Sequence, residues 1–322
     1  MVDYSCFFAI VLAAGKGTRM RSSKPKVLHR LLDRPLIYYP LEVLSQAGIK
    51  RIIVVLGHGA KEIEPHISKW SPQIVYQEEQ LGTAHAVSCA MPNLREYSGP
   101  CLIMCGDMPL FRPTTIQSLY SHHIGEGNQV TVLSAYVEDP TGYGRIVRSG
   151  NGEVMGIVEE KDATQEQRAI NEINTGTYCI DSNVLFHFLS MIENKNKQKE
   201  FYLTDIVTLA RNFEMKVNAL PLDDPSEAIG VNSRNDLAFA ESVLLDRVRK
   251  RHMENGVTMI MPDSIYIGLD VTIEKDVTIG PFAVIKGNSI IREGAQISAF
   301  SYIENSEILK HELVPPFSKK VL

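Results

Sequence analysis

The sequence contains little that would point to a membrane, a signal peptide or a nucleic-acid surface. Its 322 residues carry a net charge of -5, and only 7% of them are aromatic. Nucleic-acid-binding domains usually show a basic excess, so this composition argues against that role. The apolar run from Cys6 to Ala14 is too short to cross a bilayer and lacks a basic segment before it. We therefore expect a cytoplasmic protein with neither membrane nor nucleic-acid partners.

The cysteines are few and do not form a metal-binding or disulfide pattern. They number five and lie among apolar neighbours, at Cys6, Cys89, Cys101, Cys105 and Cys179. No CxxC or Cys/His spacing occurs, which excludes the common zinc motifs. We interpret them as free thiols in a reducing compartment.

Apolar runs alternate with helical patterns over the first third of the chain. Strands are predicted at Phe7–Leu12, Ile52–Leu56, Gln73–Tyr76 and Cys101–Cys105, and helices at Pro35–Ala47, Ala60–Ile67 and Gly82–Met91. Pro40 should kink the first helix or shift its start. This alternation predicts a doubly wound α/β sheet with a parallel core. Residues 130–224 change to paired strands and turns, which suits a substrate lobe.

The last part of the chain has a six-residue period. Isoleucine recurs at Ile267, Ile273, Ile279, Ile285, Ile291, Ile297 and Ile303, and Leu309 continues this phase. This hexapeptide repeat predicts a parallel β-helix of about two and a half coils. Pro315–Lys320 reads as a terminus and not as another coil. With the amphipathic stretch Asn235–Arg251 as a connector helix, the predicted domains are 1–232, 233–256 and 257–322.

A glycine-rich loop follows the first predicted strand and suits phosphate binding. Gly15 and Gly17 flank Lys16, and Arg19 comes two residues later. Glycines let backbone N–H groups approach phosphate oxygens, and cations neutralise their charge. Lys26, stiffened by the preceding proline, would bring a second cation to the same place. The loop matches neither the P-loop nor the dinucleotide motif, and by itself it could equally be an ordinary turn.

Two other polar segments follow predicted strands. Asp107 comes directly after the strand Cys101–Cys105, where a carboxylate would face the ligand crevice and could hold Mg²⁺; it could also simply cap a turn. Gln77 offers both a donor and an acceptor to a pyrimidine edge, and Gly82 would admit a base or ribose. Taken alone, this second segment is a weak signal.

Together these segments resemble one family. LAAGKGTRM with Pro25-Lys26, QEEQLGTAHA, GDMPL, GYGRI, VEEKDA, EINTG, YLTDI and GVNSR stand in the order seen in the bifunctional bacterial N-acetylglucosamine-1-phosphate uridyltransferase / glucosamine-1-phosphate N-acetyltransferase. The resemblance extends from Phe7 to about Leu309. It implies a Rossmann-like nucleotidyltransferase domain followed by a short left-handed parallel β-helix. It also implies synthesis of UDP-N-acetylglucosamine from UTP and N-acetylglucosamine 1-phosphate, as a homotrimer.

The resemblance also assigns site residues. Arg19 and Lys26 would be the catalytic phosphate-binding cations, and Asp107 and Asn232 would bind Mg²⁺. The remaining substrate contacts implied by the family motifs are Leu12, Ala13, Ala14 and Gly15 for the nucleotide, Gln77, Gly82 and Thr83 for the uracil, Cys105 and Gly106 beside the substrate, and Gly144, Glu159, Asn174, Tyr202 and Thr204 for the sugar.

Two departures from the family pattern shape the expected function. Cys105 stands where the family usually has tyrosine, which removes a ring and a hydroxyl beside the substrate. The predicted β-helix ends before the coils that carry the family's acetyl-transfer residues, so we expect no acetyltransferase activity. The alternatives are another sugar-1-phosphate nucleotidyltransferase, an acyltransferase, or a non-catalytic hexapeptide scaffold or regulatory subunit.

Overall fold

The protein is described by a computed structural model covering residues 7–94 and 97–322. Cys6, which we interpret as a free thiol, lies outside the described residues. The chain divides into two compact units. The first contains the residues up to His29 together with Pro35–Asp236, and the second contains Arg30–Arg34 together with Leu237–Leu322.

The elements up to the long helix are β1 (Phe8–Ala13), β2 (Arg30–Leu31), β3 (Arg34–Pro35), α1 (Tyr38–Gln46), β4 (Arg51–Leu56), α2 (Ala60–Ile67), β5 (Gln73–Tyr76), α3 (Thr83–Ala90), β6 (Pro100–Cys105), α4 (Pro113–Gly125), β7 (Val130–Tyr136), β8 (Gly144–Arg148), β9 (Val154–Val158), α5 (Gln165–Arg168), β10 (Glu172–Asp181), α6 (Ser182–Leu189), α7 (Asp205–Asn212) and β11 (Val217–Pro221). They are followed by α8 (Arg234–Glu254) and by β12 (Thr258–Met259), β13 (Tyr266–Ile267), β14 (Thr272–Ile273), β15 (Thr278–Ile279), β16 (Val284–Lys286), β17 (Ile290–Ile291), β18 (Gln296–Ile297), β19 (Tyr302–Glu304), β20 (Glu307–Ile308), β21 (Leu313–Val314) and β22 (Lys319–Val321).

The first unit is built on a sheet with the strand order β11-β7-β10-β6-β1-β4-β5, and β8 and β9 extend it beside β10. The strands β6, β1, β4 and β5 run parallel, as predicted. The continuous apolar run of β1 is buried on both faces, with Phe8 and Ile10 in one core cluster and Ala9 and Val11 in the other. A strand covered on both sides has no need for polar alternation.

The later part of this sheet differs from the predicted pattern. β10 runs antiparallel to both β6 and β7, so the sheet is mixed. The helices α6 and α7 lie in the region that the sequence predicted as strands and turns. Pro40 shifts the start of α1, as predicted. The helix begins at Tyr38, so the proline falls in the first turn, where its missing N–H costs no intrahelical hydrogen bond.

The second unit contains the predicted parallel β-helix. Its short strands form three parallel ladders, β12-β15-β18-β21, β13-β16-β19-β22 and β14-β17-β20. The periodic isoleucines point inward, and Ile267, Ile279 and Ile285 have no exposed surface.

The predicted end of the repeat is wrong in two respects. Leu309 does not continue the buried phase: Ile308 is buried and pairs in β20, whereas Leu309 is 63% exposed. The phase shifts because only Asn305 and Ser306 separate β19 from β20, one residue fewer than the three between β16 and β17. The coils then continue past Leu309, since β21 pairs with β18 and β22 pairs with β19.

An aromatic ladder marks the same continuation. Phe282, Phe300 and Phe317 stack on successive coils with ring centroids 5.0 and 5.1 Å apart. The segment Pro315–Lys320 therefore belongs to another coil, and the prediction of about two and a half coils was too low. Among the described residues, no helix is long and apolar enough to span a bilayer.

Candidate active site

A cavity of about 470 Å³ lies where the parallel strands of the first unit end. It is lined by Leu12, Ala13, Ala14, Gly15, Lys16, Lys26, Val27, Gln77, Gln80, Gly82, Thr83, Ala86, Cys105, Asp107 and Glu200. The carboxyl ends of β1, β5 and β6 all contribute to this lining. In open α/β sheets this edge is where ligands bind.

The glycine-rich loop leaves β1 and turns through Gly17, whose φ of 59° is left-handed. A Cβ atom at Gly17 would lie 2.5 Å from the Cβ of Lys26, so glycine is required for Lys26 to pack against the loop. Arg19 lies on the short 3-10 helix Thr18–Met20 and is exposed. It is not among the residues that line the cavity, and its catalytic role stays a prediction.

Lys26, Asp107 and Asn232 meet at one side of the cavity. The Lys26 ammonium forms an ion pair with the Asp107 carboxylate and donates to Asn232 Oδ1 at 3.1 Å. Asp107 follows β6 directly, and its backbone carbonyl accepts from the N–H of Val231 at 2.9 Å. This backbone hydrogen bond brings the segment of Asn232 next to the end of β6, although the two are distant in sequence.

The Gln77 side chain is buried and has a defined orientation. Its Nε2 donates to the Gly82 carbonyl at 3.1 Å and lies 3.0 Å from Nδ1 of His85. Because a carbonyl can only accept, the amide nitrogen must face Gly82, and His85 must then accept at Nδ1. This arrangement uses both amide hydrogens and leaves the carbonyl oxygen of Gln77 for a donor on a ligand. His85 was not selected as a site residue from the sequence.

The segment around Phe201 is docked on the start of α3. The N–H of Phe201 donates to the Leu81 carbonyl at 2.8 Å, and the Thr83 hydroxyl accepts from the Leu203 N–H at 2.9 Å. A Cβ atom at Gly82, with φ 120°, would lie 2.4 Å from the Phe201 carbonyl oxygen. The missing side chain at Gly82 therefore makes room for this backbone. Gly82 also lines the cavity, and its contact with a base or ribose stays a prediction.

The same docking places Tyr202 and Thr204 in the first unit's interior. Tyr202 is 9% exposed, and no described residue forms a hydrogen bond with its hydroxyl. Burial raises the pKa of the Tyr202 phenol, and the carboxylates of Asp162 and Glu159 add to this effect. The Tyr202 hydroxyl therefore stays protonated and keeps an unused hydrogen-bond donor, and its contact with a sugar stays a prediction.

Gly144, Glu159 and Asn174 also lie together. A Cβ atom at Gly144 would be 3.5 Å from both Glu159 Oε1 and the Asn174 Cβ. Burial raises the pKa of the Glu159 carboxyl, and this outweighs the opposite effect of the neighbouring Thr204 hydroxyl. The amide of Asn174 is already used inside β10, because Nδ2 donates to Tyr178 at 2.7 Å and Oδ1 accepts from Gly176.

Cys105 lines the cavity at the end of β6, and Gly106 reaches back to β1 through an N–H bond of 2.8 Å to the Leu12 carbonyl. Burial raises the pKa of the Cys105 thiol to about 12, and the charge of Asp107 contributes in the same direction. The thiol is therefore neutral and weakly polar at physiological pH. A Cβ atom at Gly176 would lie 3.5 Å from its sulfur, so little space remains on that side.

Of the predicted site residues, Arg19, Gly106, Gly144, Glu159, Asn174, Tyr202, Thr204 and Asn232 do not line this cavity. The cavity also contains residues that were not among the assigned site residues: Lys16, Val27, Gln80, Ala86 and Glu200. Of these, Lys16 belongs to the glycine-rich loop whose cations were predicted to neutralise phosphate. Glu200 could not have been found, because its place beside α3 depends on the tertiary hydrogen bonds of Phe201 and Leu203.

Comparison with known proteins agrees with this architecture. A profile described as nucleotidyl transferase matches residues 8–224, and a profile of bacterial transferase hexapeptide repeats matches residues 270–305. The fold is similar to that of the crystal structure of UDP-glucose pyrophosphorylase complexed with UDP-glucose, with a TM-score of 0.63 and 19% sequence identity. The similarity covers 74% of this chain and 98% of that one, and it shows the fold alone.

Curated relatives are closer. The chain is 42% identical over 301 residues to the bifunctional protein GlmU of Geobacillus thermodenitrificans, covering 94% of this chain and 65% of that protein. It is 42% identical over 311 residues to GlmU of Geobacillus sp. strain WCH70, covering 95% and 68%. With GlmU of Geobacter sulfurreducens, identity is 44% over 301 residues, covering 93% and 63%. The chain thus spans about two thirds of the length of these relatives.

The mixed α/β sheet, the glycine-rich loop at its edge and the hexapeptide coils together define a nucleotidyltransferase-type enzyme. On the profile match and the full-chain similarity, the protein belongs to the nucleotidyl transferase family, among the relatives of the bifunctional GlmU proteins.

Proposed function

We propose that this protein transfers a uridylyl group from UTP to N-acetylglucosamine 1-phosphate, giving UDP-N-acetylglucosamine and pyrophosphate in the cytoplasm. The observation that carries the proposal is the convergence on one cavity of a glycine-rich loop, the Lys26–Asp107 pair and the buried amide of Gln77. The first two suit a triphosphate, and the third suits a base that can donate a hydrogen bond.

Uracil fits the Gln77 side chain on chemical grounds. Gly82 and His85 bind the amide nitrogen of Gln77, and no described residue donates a hydrogen bond to its carbonyl oxygen. Uracil carries an N–H on its Watson–Crick edge, whereas the same ring position of cytosine only accepts. An acceptor at Gln77 that faces N3 therefore favours UTP over CTP, whose only donor on that edge is the exocyclic amino group.

The donor set also fits Mg²⁺. Asp107 and Asn232 offer a carboxylate and an amide oxygen to one cation, which in this structure is the Lys26 ammonium. Among the described residues there is no group of three or more His, Cys, Asp or Glu that could hold a metal. A site with one carboxylate is still adequate, because Mg²⁺ on nucleotides keeps several waters and binds phosphate oxygens. When bound, Mg²⁺ would neutralise developing phosphate charge.

The reaction would be an in-line attack by a phosphate oxygen of the sugar phosphate on the α-phosphorus of UTP, with pyrophosphate as the leaving group. The attacking phosphate is largely dianionic near pH 7, since its second pKa is about 6, so no general base is required. The protein's contribution is positioning and charge neutralisation by Arg19 and Lys26. Tyr202 and Glu159 would bond hydroxyl or amide groups of the sugar.

The central experiment measures pyrophosphate release across a panel of nucleoside triphosphates and sugar 1-phosphates. UTP with N-acetylglucosamine 1-phosphate should be the best pair by a wide margin in kcat/KM. A preference for another base or sugar would favour a different sugar-1-phosphate nucleotidyltransferase. No turnover with any pair would favour the scaffold or regulatory alternative.

The role of Arg19 is tested by Arg19→Ala. If Arg19 moves in to clamp phosphate during the reaction, kcat should fall by about 10²-fold or more. Activity close to wild type would contradict that role. Arg21→Ala is a matched control, since Arg21 is an exposed arginine at the end of the same short 3-10 helix; it should change kcat by less than about threefold.

Two further expectations are tested separately. Release of CoA from acetyl-CoA and glucosamine 1-phosphate would contradict the predicted lack of acetyltransferase activity. The homotrimer is proposed from the resemblance and from the hexapeptide coils, and sedimentation equilibrium of the full chain would measure it directly.

A further inference from the structure

The oxygen atoms that we assign to the metal are both bonded to Lys26. The Lys26 ammonium pairs with the Asp107 carboxylate and donates to Asn232 Oδ1 at 3.1 Å. These bonds use two of its three N–H donors. The side chains of Lys26 and Asp107 are only 15% and 13% exposed, so water screens their attraction weakly.

The Asn232 acceptor is held in place by other bonds. Asn232 Nδ2 points toward the Gly230 carbonyl at 3.4 Å, which directs Oδ1 to the ammonium. The Asp236 carboxylate accepts from the backbone N–H groups of Asn232 and Ser233 at 2.9 and 2.8 Å. The Asn232 acceptor is therefore fixed, the backbone of Asp107 is held by its bond from Val231, and the four-carbon stem of Lys26 is the most flexible part of this cluster.

We propose that Lys26 occupies the divalent-cation position of the nucleotide-free enzyme and leaves it only when a triphosphate offers oxygens to the same ammonium. The inference rests on the proposed function for its metal and nucleotide. It adds that metal binding at Asp107 depends on nucleotide binding, and that Lys26 links the two events.

Electrostatic repulsion explains why Lys26 and a divalent cation exclude each other from this position. A divalent cation and an ammonium cannot share Asp107 Oδ2 and Asn232 Oδ1, because they would lie within a few ångströms and repel with twice the force of two single charges. A triphosphate at the neighbouring loop supplies several negative oxygens, so Lys26 exchanges one carboxylate partner for phosphate. By linkage, nucleotide and metal then each raise the affinity for the other by the same factor.

The test is a titration of the nucleotide-free full chain with Mn²⁺ alone, followed by the electron paramagnetic resonance signal of the free ion. Lys26→Met keeps a side chain of similar length but removes the ammonium. It should bind Mn²⁺ at least about 10-fold more tightly than wild type, within the usual range of such couplings. The double variant Lys26→Met/Asp107→Asn should lose this gain, which locates the ion at Asp107.

A matched control separates the specific effect from general charge. Lys16→Met removes a cation that lines the same cavity but has no described bond to Asp107. Its Mn²⁺ affinity should stay within about twofold of wild type at physiological ionic strength, where exposed charges are screened. Thermal unfolding of each variant confirms that it is folded before titration.

Three results would overturn the proposal: equal Mn²⁺ affinity of wild type and Lys26→Met, an equal gain in Lys16→Met, or a gain that survives Asp107→Asn. These outcomes are independent of the enzyme assay. Turnover of UTP by wild type together with an unchanged Lys26→Met titration would reject the lysine exchange and leave the proposed function intact. A gain in Mn²⁺ affinity that depends on Asp107, without turnover of any substrate pair, would support the lysine exchange and reject the proposed function.

Discussion

The two units assemble their important residues over very different distances along the chain. In the α/β unit, the cavity draws on segments from Leu12 to Glu200, and a backbone pairing between Phe201 and Leu81 holds one side of it. In the β-helix, each strand pairs with the strand one coil away, as Ile279 does with Ile297. A substitution in the β-helix should therefore disturb only the neighbouring coils, as in other repeat architectures. A substitution in the α/β unit can instead displace a part of the site that is distant in sequence.

The largest expected effect is that of Gly82→Ala. The new Cβ would lie 2.4 Å from the Phe201 carbonyl oxygen at a φ of 120°, so the segment carrying Tyr202 could not dock. We expect kcat/KM for the uridylyltransferase reaction to fall by 10²-fold or more, because small displacements of substrate-positioning groups cost about that much. Gly125→Ala in α4 meets no atom within 4 Å and should leave kcat/KM unchanged. Near-normal activity of Gly82→Ala would mean that this docking is unimportant for the site.

The next comparison tests the shifted phase of the β-helix with two neighbouring residues. Ile308→Ala removes a side chain with no exposed surface and should lower the free energy of unfolding by about 2–5 kcal/mol. Leu309→Ala alters a side chain that is 63% exposed and should cost less than about 0.5 kcal/mol. Urea denaturation of both variants measures the difference. If Leu309→Ala were the more destabilising of the two, the unbroken six-residue phase would be correct after all.

A smaller effect is expected from pH in the second unit. Burial, with a contribution from Arg251, lowers the pKa of His252 to about 4 from 6.5. Since the folded state disfavours the charged imidazole, the stabilisation is complete above pH 6.5 and is lost as pH falls toward 4. The loss should be on the order of 3 kcal/mol by pH 4 in wild type.

The variant His252→Gln isolates this contribution. Its free energy of unfolding should depend less on pH between 6.5 and 4 than that of wild type, while the two proteins keep parallel profiles above pH 7. Identical profiles across the whole range would show that the pKa of His252 is the same in the folded and the unfolded protein.

The smallest expected change concerns the thiol at the active site. With its pKa raised to about 12, Cys105 has almost no thiolate at pH 8 and should react slowly with iodoacetamide. Peptide mass spectrometry of the native protein should find Cys105 largely unmodified after treatment that fully labels the denatured chain. Rapid labelling would show that the thiol is more accessible and more acidic than its surroundings indicate.

Much of the fold was predictable because its patterns are local. The strand Gln73–Tyr76 and the helix Ala60–Ile67 are confirmed residue for residue, since apolar period and turn residues define them within a few positions. The antiparallel direction of β10 was not predictable, because no local feature distinguishes an antiparallel strand inserted into a parallel core.

The site was predictable only as a set of segments. The glycine-rich loop, Asp107 and Gln77 each stand at the end of a strand, and the rule for parallel sheets places such residues at one edge. The bonds between them were not predictable. That Gln77 is oriented by His85, or that Gly82 yields space to the Phe201 backbone, depends on which distant chain segments come into contact.

The six-residue period of the coils and the residue types of the loop after β1 follow from the local sequence, because side-chain direction and glycine conformation act over a few residues. The place where the repeat shifts phase is set by tertiary packing, since the turn at Asn305 is shortened and places Ile308, not Leu309, inside the coil. Tertiary packing also decides that Lys26 bonds to Asp107 and Asn232. Partners so far apart in the chain are chosen by the packing of the whole unit, which no local pattern encodes.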